Sequence, residues 1–117
     1  MEEGKARKFQ VEFTASAKFH FFENLEYFYE NYTQDRAEQL ANELEEMAQS
    51  LKLLPHRGTY EKWLFDAKYV YRFILFRRTK RADIKIIYYI DDETDKVFVT
   101  DFFPTESDGE KMPDRNL

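Results

Sequence analysis

Two stretches of the chain repeat their apolar residues every three or four positions, the period of an α-helix with one buried side. Thr14 and Thr33 precede these stretches and can each cap the helix that follows. A short break at residues 31–33 should fold the two helices into an antiparallel hairpin, and Pro55 should end the second helix. The first stripe consists of Ala17, Phe21, Leu25, Phe28 and Tyr32, and the second of Ala37, Leu40, Ala41, Leu44, Met47, Ala48 and Leu51.

Four other segments are typical of β-strands. Residues 9–13 alternate apolar and polar side chains, as a strand with one buried face does. Residues 69–76, 84–90 and 97–103 are rich in β-branched and aromatic side chains, which suit a pleated, packed surface. Charged loops separate these last three segments, so we expect them to pair as an antiparallel meander.

This order of elements predicts an α+β fold with the sequence β-α-α-β-β-β. The helical hairpin should pack on one face of a mainly antiparallel four-stranded sheet and leave the other face open. A chain of 117 residues has room for one hydrophobic core, so residues 9–104 are expected to form a single domain. We expect residues 1–8 to be a flexible extension and residues 105–117 to be a loosely ordered acidic tail.

The composition excludes several classes of protein. The chain has no cysteine, which rules out a disulfide scaffold, a thiolate nucleophile and cysteine-ligated zinc. His20 and His56 lack the spacing of metal ligands, and we expect neither a metal nor a cofactor. No apolar run approaches the roughly 18 residues of a membrane span, and the N-terminus does not resemble a secretory signal. We therefore expect a cytoplasmic protein with no membrane partner.

The charges are distributed unevenly along the chain. Residues 55–90 carry nine basic and three acidic side chains, whereas residues 20–54 carry two basic and eight acidic ones. A basic segment between acidic flanks favours a surface that attracts a polyanion or an acidic partner. A solvated face of a small protein would give the same pattern.

Three short motifs narrow the choice of family. Leu54-Pro55-His56-Arg57-Gly58 follows the second helix, Tyr71-Arg72-Phe73 opens the next strand, and Tyr88-Tyr89-Ile90-Asp91 ends the one after it. Over about residues 8–104 the chain resembles the RelE/ParE superfamily of bacterial toxins. The resemblance implies the toxin of a type II toxin–antitoxin module, which a cognate antitoxin protein neutralises. RelE-like members cut mRNA on the ribosome, whereas ParE-like members poison DNA gyrase.

The resemblance also implies candidate catalytic residues. Alternation along the strands suggests that Arg72 and Lys85 emerge together on the open face. RelE-like ribonucleases carry basic groups in these places, where cations stabilise the charge that develops on phosphorus. Tyr89 is a candidate acid or base, although a strand tyrosine is more often a packing residue. An alternative interpretation of Arg72 is that it pairs with an acidic residue such as Asp101 or with the antitoxin.

Other residues are candidates for binding. Trp63 is interpreted either as a core residue or as an anchor for the antitoxin. Arg57 and the basic side chains of the loop after residue 76 can contact phosphate, although a solvated loop is an equal alternative. These candidates for binding nucleic acid or the target are Arg57, Arg77, Arg78, Lys80 and Arg81.

The family's two activities require different residues. RelE-like nucleases carry an arginine just after the last core strand and a tyrosine or histidine near the C-terminus. This chain has Phe102-Phe103-Pro104 and a tail without His or Tyr. We therefore favour a ParE-like inhibitor that binds gyrase. The alternatives are a metal-independent, ribosome-dependent endoribonuclease that uses Arg72 and Lys85, and a decayed toxin that binds only its antitoxin.

Overall fold

The structure is a computed structural model that describes residues 7–64, 68–78, 82–107 and 109–115. Within these residues the fold belongs to the α+β class, as predicted. The α-helices are α1 (Ala15–Asn31) and α2 (Gln34–Gln49), and the strands are β1 (Gln10–Phe13), β2 (Thr59–Tyr60), β3 (Arg72–Arg77), β4 (Asp83–Asp91) and β5 (Lys96–Pro104). Short 3₁₀ helices span Ser50–Lys52, Pro55–Arg57 and Gly109–Arg115. Neither α-helix has the length and apolar content needed to cross a bilayer.

The two predicted caps begin the two helices. The Thr14 hydroxyl oxygen accepts a hydrogen bond from the backbone N–H of Ala17 at 3.1 Å, and Thr33 accepts one from Arg36 at 3.2 Å. These bonds satisfy donors that the first turn of a helix leaves free. The prediction that the proline ends α2 is wrong, because α2 ends at Gln49. The chain there turns to bond with the start of the domain, where the Phe9 N–H donates to the Lys52 carbonyl.

In the described part of the chain, the sheet has five strands in the order β1-β5-β4-β3-β2. β1 runs parallel to β5, while the other neighbouring strands are antiparallel. The predicted sheet had four strands, so the prediction missed one strand, β2. This strand has only two residues, too few to show any periodicity.

The main core lies between the sheet and the helical hairpin. The apolar stripes of both helices pack on one face of β3, β4 and β5, as predicted. Its fully buried side chains include Phe28, Leu40, Leu44, Ile84, Ile86, Tyr88, Val97, Val99 and Phe102.

The opposite face of the sheet is partly covered, which corrects the expectation of an open face. A second cluster of apolar residues lies there, formed by Tyr71, Ile87, Phe103 and Met112, with Trp63, Leu64, Tyr69, Phe73 and Tyr89 packed against it. The covering residues come from the segment before β3 and from the C-terminal 3₁₀ helix. Tyr69 and Tyr71 lie in the stretch that we predicted to be a strand, but β3 begins only at Arg72. The residues around Trp63 and Met112 follow no helical or strand period, so the sequence pattern did not reveal this cover.

The C-terminal 3₁₀ helix is firmly attached, in contrast to the loosely ordered tail that we expected. Met112 is fully buried. The Arg115 guanidinium donates two hydrogen bonds, at 2.7 and 2.8 Å, to the carboxylate of Asp101, whose side chain is fully buried. Ser16 at the start of α1 donates a bond to the Arg115 carbonyl. Residues 1–6 of the expected N-terminal extension lie outside the described residues. Arg7, the next residue, pairs with Asp95 at 2.6 Å.

Candidate functional site

Arg72 and Lys85 lie on opposite faces of the sheet, so the expectation that they emerge together is wrong. Arg72 pairs with Tyr88 across β3 and β4, and Lys85 pairs with Leu75. Tyr88 belongs to the helix-side core, whereas Phe73, two residues before Leu75, belongs to the second cluster. Paired residues share a face of the sheet. Arg72 therefore lies on the same face of the sheet as the apolar residues of the helix-side core. The turn before β2 provides hydrogen-bond acceptors for its guanidinium.

The Arg72 guanidinium is held by this turn. It donates hydrogen bonds to the carbonyl oxygens of His56 at 3.0 Å and Gly58 at 3.1 Å. It also lies over the Tyr60 ring, 4.5 Å from the ring centre, a favourable cation–π geometry. Three of the five N–H donors of an arginine are used here, because the Tyr60 hydroxyl accepts the third bond.

Arg72 lines a polar cleft of 330 Å³. The imidazole Nε2 of His56 lies 3.1 Å from a carboxylate oxygen of Asp92 in this cleft, and both side chains are about half exposed. We name this group the Arg72 cleft. Its lining residues are His56, Tyr60, Lys68, Tyr69, Val70, Arg72, Ile90 and Asp92.

The Arg72 cleft combines groups that can take up a proton and stabilise the negative charge of a phosphodiester. A histidine beside a carboxylate is held in one orientation and can take up a proton. A nearby guanidinium can stabilise negative charge on phosphate. The sequence did not predict the His56–Asp92 pair, because 36 residues separate its members. The two side chains meet because Asp92 lies in the turn between β4 and β5.

A buried tyrosine fixes the position of the turn that carries His56. The Tyr88 hydroxyl donates a hydrogen bond to the Pro55 carbonyl. Burial raises the pKa of Tyr88, although the positive charges of Arg72 and Arg57 act in the opposite direction. Gly58 sits directly against this ring, since a Cβ atom there would lie 2.1 Å from the Tyr88 hydroxyl oxygen.

We expect Gly58→Ala to lower the free energy of unfolding by roughly 1–3 kcal/mol, the usual cost of overpacking a filled site. The ring has little room to move, because Tyr88 is fully buried. Urea unfolding of the wild type and the variant measures the change, with Thr59→Ala as a control at the exposed neighbouring position. An equal loss in both variants would contradict the steric explanation.

Lys85 is neutralised by a buried acidic residue. Its Nζ atom lies 2.9 Å from a carboxylate oxygen of Glu61, whose side chain is fully buried. The ammonium group also lies 4.3 Å from the centre of the Phe73 ring. Glu61 accepts a further hydrogen bond from the backbone N–H of Trp63. The pair thus fastens the covering segment to the sheet, and the catalytic role of Lys85 stays a prediction.

Tyr89 is enclosed by other rings on the same face as Lys85. Its ring stacks on Tyr69 at 4.0 Å and on Phe98 at 5.2 Å between ring centres. Burial, together with the hydrogen bond to Tyr69, raises the pKa of Tyr89 to about 12. At neutral pH the hydroxyl is therefore protonated and is a poor base. The packing interpretation of Tyr89 fits these contacts.

The raised pKa of Tyr89 predicts a stability change at alkaline pH. In the unfolded chain this phenol ionises near pH 10, whereas in the folded chain it keeps its proton to about pH 12. Its stabilising contribution is therefore complete below pH 10 and is lost as the pH rises through this interval. We expect the free energy of unfolding of the wild type to fall more steeply than that of Tyr89→Phe over this window. Denaturant titrations at several pH values test this, and parallel curves would contradict it.

Among the remaining basic candidates, the three that the structure describes are held in different places. Arg57 lies beside β2 and donates hydrogen bonds to the Leu53 carbonyl and the Ser50 hydroxyl. Arg77 ends β3, about 16 Å along that strand from Arg72 by the usual rise per residue. Arg78 is buried, pairs with Glu106 and cannot reach a phosphate without leaving it. Lys80 and Arg81 lie outside the described residues.

Trp63 lies in the second cluster and is partly buried. Its indole is packed against Gly109, where a Cβ atom would come within 2.5 Å of the ring nitrogen. These contacts fit the core interpretation of Trp63, and its role as an antitoxin anchor stays a prediction. In the described part of the chain, no cluster of three or more His, Asp or Glu side chains is arranged to hold a metal ion.

Comparison with models of protein families, with curated proteins and with solved structures found no match to this chain. The resemblance to the RelE/ParE superfamily therefore depends on the sequence motifs alone.

Proposed function

We propose that this chain is the toxin of a type II toxin–antitoxin module and acts, as ParE-like toxins do, by binding DNA gyrase. The observation that favours binding over catalysis is the separation of Arg72 from Lys85 by the sheet. Cleavage of RNA without a metal needs its cationic group, base and acid around one phosphate. Two basic groups on opposite faces of a sheet cannot meet around one phosphate.

The contacts of the other two catalytic candidates, Lys85 and Tyr89, support the same conclusion. Lys85 is paired with the buried Glu61, so its charge is already neutralised. Tyr89 is held between two rings and has a raised pKa. Tyr89 therefore packs in the second cluster and Lys85 lies beside it over the Phe73 ring, and a surface-binding mechanism does not require either residue to react.

The direct test adds the purified full-length chain to bacterial DNA gyrase, relaxed plasmid and ATP. The expected result is loss of supercoiling, together with linear plasmid that appears after treatment with detergent and protease, because a ParE-like toxin traps cleaved DNA. A heat-unfolded sample of the same chain is the control. Normal supercoiling at a large molar excess of toxin over gyrase would contradict the proposal.

A ribosome-dependent endoribonuclease is the second candidate, and one specific observation favours it. The His56–Asp92 pair shares a cleft with Arg72. In this mechanism His56 would take the proton of the ribose 2′-hydroxyl, and the 2′-oxygen would bond to phosphorus to give a 2′,3′-cyclic phosphate. The 5′-oxygen would leave as a hydroxyl by taking a proton from solvent water. Arg72 would stabilise the extra negative charge in the transition state. Lys85, which we predicted to act together with Arg72, has no role in this mechanism.

Primer extension on a reporter mRNA distinguishes this candidate. The chain is added to a bacterial cell-free translation reaction, with and without ribosomes, beside His56→Gln and Arg72→Gln. New 5′ ends that require ribosomes and vanish in both folded variants would support the ribonuclease. An uncut message would exclude it.

A further inference from the structure

The outer side of α1 exposes large aromatic rings although its inner side is buried in the core. Phe19 and Phe22 are 62% and 61% exposed, and Tyr29 is 48% exposed. The buried residues Ala17 and Phe28 lie on the opposite side of the same helix. Exposed phenylalanine side chains close to one another are unusual on a surface that meets only water, and they mark interaction sites.

These rings are arranged as one continuous groove. Positions 19, 22, 26 and 29 follow one another at spacings of three and four, so they lie along one stripe of the helix. The groove has a volume of 630 Å³ and is open to solvent along the helix. Its lining residues are Phe19, Phe22, Glu23, Leu25, Glu26, Tyr29 and Glu30.

The groove is acidic as well as aromatic. Glu23, Glu26 and Glu30 lie along it, and the surrounding residues 20–54 carry eight acidic side chains and two basic ones. A partner that buries the rings must therefore bring positive charge to the edges of the groove. Such complementary charge raises the rate of association and selects the partner.

We propose that this α1 groove binds a basic amphipathic helix of another protein. The partner places apolar side chains spaced three and four residues apart over Phe19, Phe22 and Tyr29, in the helix-in-groove mode. Its lysines and arginines flank that stripe and pair with Glu26 and Glu30. The inference does not depend on the identity of the toxin's target.

Two other occupants fit the groove less well. A second copy of the chain would bring the same glutamates against each other, and like charges in an interface disfavour association. An anionic lipid surface would be repelled by the acidic side chains for the same reason. A helix with a basic border satisfies both the rings and the carboxylates.

Fluorescence anisotropy with a labelled peptide tests the proposal on the full-length chain. The probe is an amphipathic peptide of about 18 residues, long enough for five helical turns, with leucines on one side and lysines on both borders. Two reference peptides carry glutamate in place of lysine or the same residues in scrambled order. We expect the basic peptide alone to bind, and binding to weaken as salt is added.

Substitutions in the groove identify the site. Phe19→Ala with Phe22→Ala should weaken binding by about tenfold or more, because aromatic anchors dominate such interfaces. Glu26→Lys with Glu30→Lys should also weaken it. Leu75→Ala, at an exposed position on β3, should leave affinity unchanged. Circular dichroism establishes that each variant is folded.

Four results would overturn the proposal. The first is equal binding of the scrambled or acidic peptide, and the second is unchanged affinity in the Phe19 and Phe22 variant. The third is no binding of the basic peptide at concentrations up to about 0.5 mM. Self-association that Phe22→Ala abolishes would assign the groove to a second copy and would equally contradict it.

Discussion

Lys85→Met is expected to lower the free energy of unfolding by roughly 3–5 kcal/mol, because removing one partner of a buried ion pair leaves the other charge buried and unpaired. That other charge is Glu61, whose side chain is fully buried. Urea or guanidinium unfolding measures the loss. A residue of similar chemistry offers the matched control, since Lys62 is exposed and Lys62→Met should change stability by less than about 0.5 kcal/mol.

The double variant Lys85→Met with Glu61→Met separates charge from packing. Replacing both partners with apolar side chains of similar size often restores much of the stability, so the double variant should be more stable than Lys85→Met alone. Normal stability of Lys85→Met would contradict the structural role of the pair. It would also reopen the interpretation of Lys85 as a free catalytic cation.

Arg115→Met is expected to have an effect of similar size, again roughly 3–5 kcal/mol, because it leaves the Asp101 carboxylate buried without its guanidinium. The substitution should also loosen the C-terminal 3₁₀ helix from the sheet. Limited proteolysis should then cut the variant within residues 105–115 faster than the wild type. Denaturant unfolding measures the loss of stability.

Lys111→Met is the control for Arg115→Met, because Lys111 is an exposed basic residue of the same 3₁₀ helix. It should leave both stability and the cleavage rate unchanged. Equal cleavage rates in the wild type and Arg115→Met would show that the tail is held by other contacts. The close fit of Gly109 against Trp63 is the contact that would then deserve the next substitution, Gly109→Ala.

The elements with strong periodicity were predictable from sequence. The caps at Thr14 and Thr33 and the stripes of both helices correspond to observed contacts, because helix formation depends on neighbours three and four residues apart. β2 and the C-terminal 3₁₀ helix were not predictable. Their stability comes from contacts with residues distant in sequence, which local patterns do not contain.

The candidate site shows the same limit. Alternation along β3 puts Arg72 on one face with Ile74 and Phe76, which pack in the helix-side core. The prediction that Arg72 emerges on the open face failed because a charged residue is not expected among apolar neighbours. The structure satisfies its charge with carbonyl oxygens of the preceding turn. The His56–Asp92 and Glu61–Lys85 pairs likewise join residues 36 and 24 positions apart, and no spacing rule relates them.

Growth of a bacterial host that expresses the chain from an inducible promoter tests most directly whether this is a toxin that acts by binding. Wild type and His56→Gln are induced side by side, with equal amounts of folded protein verified. We predict that both arrest growth, because binding needs no proton transfer at His56. Growth arrest by the wild type that a folded His56→Gln variant fails to cause would contradict binding and favour cleavage. Normal growth with both would contradict the assignment as a toxin.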